Sequence, residues 1–174
     1  MSARKEGAAD AADAAAPLSA QEQLLWRALG RLMHVVPRLL DDDMTRACGI
    51  SMTDYAVLVN LAEAEGLRLR MVDLAAATAL SPSRITRVVD ELRGRGLVRK
   101  APHASDGRGA VAVLTDDGLA AARAAQPQHR ASARRRVLDH VPADQLAALA
   151  EALDRVATGT LRSQARFDEG DLSR

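Results

Sequence analysis

Apolar side chains return at helical intervals through most of the chain. Leu25, Leu29, Leu32, Val36, Leu39 and Leu40 predict a helix from about Ser19 to Arg46. Ser19, with Glu22 three residues on, has capping-box spacing, and Gly49 breaks the chain beyond the far end. Pro37 is expected to kink or split this helix. Asp41, Asp42 and Asp43 fall near its C-terminus, where the helix dipole disfavours negative charge. A second helix is expected from Ser51 or Thr53 to Gly66, burying Tyr55, Val57, Leu58 and Leu61. Leu67 to Arg70 alternates apolar and basic, the pattern of a very short strand. Met71 to Ala79 predicts a short third helix with Val72, Leu74 and Ala75 facing inward.

Ser81-Pro82-Ser83 is a strong helix start, with Ser81 as N-cap and Pro82 at the first helical position, where its missing N–H costs nothing. Ile85, Val88, Val89 and Leu92 form one apolar stripe on that helix, while Ser83, Arg84, Thr86, Arg87 and Asp90 lie off it; Gly94 and Gly96 close it. Residues 97–100 and 110–114 read as two strands of a hairpin with a polar tip. Thr115 then caps a long helix reaching about Asp139, with a second kink expected at Pro127. A last helix opens at Asp144, carries Leu146, Leu149, Leu153, Val156 and Leu161 as its stripe, and frays over its final eight or so residues. Two short helices joined by a tight turn and followed by a hairpin make a winged helix-turn-helix. The fold class is therefore mainly α with a small β-wing, and the fourth helix is the natural groove reader.

Composition narrows the classes. With 174 residues the chain is one domain, or one domain plus a tail. No apolar run reaches the roughly 18 residues of a membrane span, and residues 1–17 lack the apolar core of a secretory signal, so a cytoplasmic location is expected. Residues 1–17 read as a disordered tail. The single cysteine, Cys48, excludes an internal disulfide or a thiolate zinc site. The net charge is only +1, but residues 68–108 hold nine basic and four acidic groups. A basic patch on a near-neutral protein is the electrostatic footprint of a nucleic-acid reader.

Three stretches carry a family resemblance: MTDYAVLVNLAEAEGLRLRMVDLAA (52–76), LSPSRITRVVDELRGRGLVRK (80–100) and SDGRGAVAVLTDDGLAA (105–121). The chain resembles the MarR family of bacterial transcriptional regulators from about Leu24 to Leu161. The third stretch holds the family's wing signature, Asp-x-Arg, as Asp106 and Arg108. The resemblance implies a homodimer built from the first and last helices, two winged domains reaching adjacent major grooves of double-stranded DNA, and a small aromatic or phenolic effector between base and winged domain. On this reading 18–50 and 116–166 form a helical dimerisation region and 51–115 the winged domain. Leu24, Leu25, Leu146, Leu149 and Leu153 agree, since their stripes exceed what a small winged domain buries alone. The sequence departs from the family at Arg84, where a small residue is common, and at Gly107, where many members carry a second arginine.

Ser83, Arg84, Thr86 and Arg87 are the candidate DNA contacts of the helix, with Arg108 at the wing tip for the minor groove. Asp106 braces the wing, and Arg99 and Lys100 are candidate phosphate contacts. Trp26, Arg27, His34, Arg38 and Tyr55 are the candidate ligand-binding residues, arginines for an anion and rings for an apolar body; the alternative is a solvated basic face beside ordinary core. Cys48 reads as a small buried residue rather than a redox sensor. No phosphate loop, nucleophile elbow or metal-ligand set is present, so no catalysis, cofactor or metal is expected. The chain is read as a pseudo-palindrome-binding repressor released by its effector. The alternatives are a winged-helix protein-interaction module and a constitutive DNA-binding protein.

Overall fold

The computed structural model describes residues 16–102 and 110–171, with side chains described as far as residue 160. Most of the expected N-terminal tail, and the wing tip with Asp106 and Arg108, lie outside the described residues. The elements are α1 (Ala20–Cys48), α2 (Met52–Glu63), β1 (Arg68–Arg70), α3 (Met71–Thr78), α4 (Pro82–Gly94), β2 (Val98–Pro102), β3 (Ala110–Leu114), α5 (Asp116–Arg136) and α6 (Leu146–Asp171). Short 3₁₀ turns at Glu65–Leu67 and Leu138–His140 lead into β1 and out of α5.

Local chemistry sets the boundaries. Ser19 and Glu22 cap α1 reciprocally, the Ser19 N–H donating to Glu22 Oε2 at 2.8 Å. Gly49, at φ +65°, ends α1 in the left-handed conformation that glycine adopts without strain. Ser51 and Asp54 repeat the capping box on α2, and Thr115 caps α5 by accepting the Gly118 N–H at 3.0 Å. Neither proline splits its helix: α1 runs through Pro37 and α5 through Pro127. The second helix ends at Glu63 rather than Gly66, which turns at φ +65° inside the 3₁₀ segment. The long helix stops at Arg136 and only a 3₁₀ turn continues to His140, while α6 extends to Asp171.

The sheet has three strands in the order β1-β3-β2, all antiparallel. Arg68 and Arg99 both pair with Val113, and Leu69 and Lys100 both pair with Ala112. One face therefore carries Arg68, Val113 and Arg99, and the other Leu69, Ala112 and Lys100. The core joins Leu58 and Leu61 of α2, Leu74 of α3, Ile85, Val89 and Leu92 of α4, and Val98, Ala112 and Leu114 of the sheet. Met44 of α1 and Ala122 and Ala125 of α5 complete it. Val72 is the exception to the expected inward face, at 66% exposed. Residues 71, 74, 75 and 78 share one side of α3, and Val72 sits about 100° around the helix from Met71.

The acidic end of α1 is a structural joint. Asp41 Oδ1 accepts the Met52 N–H at 2.8 Å, satisfying a first-turn donor of α2 that has no partner within its own helix. Asp43 turns the other way, onto α5. Elsewhere large apolar side chains stay uncovered: Leu24, Leu25 and Leu32 on α1, and Leu146, Leu149, Leu153 and Val156 on α6.

Candidate nucleic-acid interface

α3 and α4 are joined by a tight turn centred on Ala79, which adopts φ +53°. The Leu80 N–H donates back to Ala75 O at 3.0 Å, closing α3 one residue before Ser81 opens α4. Ser81 accepts the Arg84 N–H, and Pro82 fills the first helical position. Ile85, Val88, Val89 and Leu92 are buried to 5% exposure or less, which locks the helix against the core. Ser83, Arg84, Thr86 and Arg87 are exposed opposite them. Thr86 Oγ1 donates to Pro82 O at 2.8 Å, turning its hydroxyl proton inward. Neither Arg84 nor Arg87 has an ion-pair partner among the described residues, so their guanidinium forks remain available for a ligand.

The wing is braced to this helix. Lys100 Nζ lies 2.9 Å from Asp90 Oδ1, joining β2 to α4, and Arg93 reaches the same carboxylate at 3.2 Å. The hydrogen bond from Lys100 holds the Asp90 carboxyl below its ordinary pKa. Lys100 thus braces β2 against α4, an intramolecular pairing that the sequence did not indicate. Arg99 projects from the other face of the sheet, beside Arg68 across Val113. Together they line a groove of about 670 Å³ that Glu65 and Asp73 also border. At the wing's base, Thr115 Oγ1 donates to Gly96 O at 2.8 Å. Asp106 and Arg108 lie outside the described residues.

The candidate ligand-binding residues are dispersed. Trp26, at 64% exposed, and Arg27, His34 and Arg38 are all on the solvent side of α1. His34 Nδ1 lies 2.7 Å from Gly30 O. Tyr55 is buried, with its ring centroid 4.7 Å from that of His129 on α5. Met44, the α1 residue that enters the core with Tyr55, lies about 27 Å along the helix axis from Trp26. Burial raises the Tyr55 pKa and lowers that of His129. His129 has no counterpart in the sequence reading, because the two rings are brought together only by packing of α5 on α2. Arg95 was likewise missed: its guanidinium donates to Asp54 Oδ2 at 3.1 Å and to Gly49 O at 3.0 Å. Cys48 is half-buried, its thiol donating to Met44 O.

A helix-turn-helix whose second helix buries one stripe and presents serine, threonine and two arginines unpaired among the described residues, beside a braced wing, defines a major-groove reader. The chain belongs to the MarR family of transcriptional regulators: the family's model matches residues 49–109, and solved members match over nearly their whole length. AbsC of Streptomyces coelicolor is 38% identical, with a TM-score of 0.77 over 85% of this chain and 99% of that one. Sco3205 of the same organism, solved in complex with DNA, is 35% identical, with a TM-score of 0.78 over 83% and 90% of the two chains. The transcriptional repressor MprA of Escherichia coli K12 is 32% identical over 100 residues, 56% of this chain; the chain spans about half the length of this curated relative, 55%. Among the described residues, no helix is long and apolar enough to cross a membrane.

Proposed function

We propose that the protein is a homodimeric repressor that reads a pseudo-palindromic operator with α4 of each protomer and relieves repression when a small aromatic or phenolic acid binds. The observation that carries the DNA-binding part is the exposed face of α4, where Ser83, Arg84, Thr86 and Arg87 stand opposite a fully packed stripe. Arg99 on the sheet and Arg108 at the wing supply the backbone and minor-groove contacts in this reading. The DNA-bound relative supports the mode of binding, and the relative named as a repressor supports the sense of regulation.

Dimerisation rests on the uncovered leucines of α1 and α6, a surface that a second copy would cover. The dimerisation region is then 18–50 with 116–166, flanking the winged domain 51–115. The effector reading rests on the cationic outer side of α1, where Arg27, His34 and Arg38 share one exposed side, with Trp26 toward its N-terminal end; Tyr55, buried against His129, lies apart from them.

The test is fluorescence anisotropy with DNA from upstream of the protein's own gene, paired with light scattering. A dimer mass with salt-sensitive, sequence-selective binding is expected. A monomer at micromolar concentration, or binding without sequence preference, would refute the reading. Titrating aromatic carboxylates and phenols into the complex should quench Trp26, the only tryptophan, and release the DNA. Quenching with the complex left intact would exclude effector control.

A further inference from the structure

Arg95 occupies an unusual position. It caps the C-terminal end of α4, its backbone N–H donating to Glu91 O at 3.2 Å. Its side chain leaves the winged domain's reading helix and grips two other elements. Nη1 donates to Asp54 Oδ2 at 3.1 Å, in the first turn of α2, and Nη2 donates at 3.0 Å to the carbonyl oxygen of Gly49, the residue that ends α1. Asp54 is only 14% exposed and also accepts the Ser51 N–H, so the carboxylate is itself held in place. The Asp41–Met52 bond ties α1 to α2 at the same corner.

We infer that Arg95 is a positioning residue that sets the angle between the reading helix and α1, and thereby the half-site spacing the dimer accepts. The inference rests on the proposed dimeric, DNA-binding reading, in which α1 belongs to the base. The geometry gives it leverage. α4 is about 20 Å long, so a tilt of about 10° at its Arg95 end moves its N-terminal, base-reading end by about 3.4 Å. That is about one base-pair step, given one helical turn of 34–36 Å per 10–10.5 base pairs. Arg95 is the single side chain among the described residues that hydrogen-bonds from α4 to both the end of α1 and the start of α2. The guanidinium fork suits the task, because two donors in fixed relation fix an angle as well as a distance.

The experiment compares wild type with Arg95→Gln on three probes: an isolated half-site duplex, the upstream operator, and operators with one base pair added or removed between half-sites. The expected result for Arg95→Gln is half-site affinity within about twofold of wild type, an unchanged salt slope, a tenfold or greater loss on the operator, and a flattened spacing profile. Asp54→Asn, which removes the facing charge while retaining a capping side chain, should reproduce the flattening, and Arg95→Lys should restore it only in part. Should Arg95→Gln fail to fold, Asp54→Asn and Arg95→Lys carry the same test. A spacing profile identical to wild type overturns the inference. So does an equal loss on half-site and operator, and a shallower salt slope would mark Arg95 as a phosphate contact instead. Wild type that binds none of the probes would overturn the functional reading itself, a result distinct from any of these.

Discussion

Asp43 of α1 and Arg136 of α5 meet in a two-pronged ion pair, with Nε to Oδ2 and Nη2 to Oδ1 both at 2.9 Å. The buried Ser132 hydroxyl donates to the same carboxylate at 2.6 Å, and Arg135 adds a contact at 3.2 Å. One carboxylate thus gathers three side chains from a single helix and fixes the crossing of α1 and α5. The bonds from Arg136 and then Ser132 hold its pKa well below the usual carboxylate range. A carboxyl whose native pKa is depressed contributes stability fully above its unfolded pKa of about 4, and loses it as pH falls below that toward the native value. Asp43→Asn is expected to lower Tm markedly at pH 7, with the gap to wild type closing only below about pH 4. Thermal melts from pH 7 to pH 2 check this; a gap constant across that range would show that charge is not the cause.

Gly118 has no room for a side chain. A Cβ there would strike the Leu97 carbonyl oxygen and lie 2.8 Å from Leu114 Cδ1, at the base of the wing. Alanine's better helix propensity, worth about 1 kcal/mol, is therefore overridden by overpacking against backbone. Gly118→Ala is expected to destabilise by about 1–3 kcal/mol, read from the urea midpoint. A stabilised variant would mean that the strand-to-helix junction relaxes freely.

The Tyr55–His129 contact sits between the winged domain and α5. Burial lowers the His129 pKa, so folding favours the neutral ring. The associated stability is present above the unfolded pKa of about 6.5 and declines as pH falls through it toward the native value. Wild-type Tm should rise between pH 5 and pH 7.5, and His129→Phe, which keeps a ring on Tyr55 but cannot titrate, should flatten that rise. An unchanged slope in the variant would assign the pH dependence to other groups.

Base and phosphate contacts are separable by salt and sequence. Arg87→Ala is expected to cost about 1–3 kcal/mol and to relax preference at one base pair. Arg99→Ala should weaken all sequences alike and reduce the slope of log affinity against log salt by about 1. Arg108→Ala should weaken binding through the minor groove. Uniform loss from Arg87→Ala across operator variants would reassign it to the backbone.

The reading helix was legible in the chain because its signals are local. Ser81 and Pro82 start it, the Ile85-Val88-Val89-Leu92 stripe orients it, and the polar side follows by subtraction. The caps at Ser19, Ser51 and Thr115 are equally local, each resting on contacts within three residues. The family motifs extended this to the wing. Val72 was misplaced because an eight-residue helix offers too few turns for periodicity to separate inward from outward apolar positions.

The side-chain alphabet and its spacing therefore determined which segments are helices and strands, where they begin, and which face of α4 is left bare. Tertiary structure decided what meets across the chain. β1 became the third strand only by pairing with β3, whose partner residues lie more than 40 positions away. Asp43, an unfavourable charge when α1 is considered alone, became the clamp on α5 through residues 89 to 93 positions distant. Lys100 turned inward to Asp90, and Arg95 closed the corner between α4, α2 and α1. Helix capping and periodicity are short-range and additive, so they are written in neighbouring residues. Ion pairs and ring contacts between elements depend on how whole helices cross, which the packing of the shared core sets.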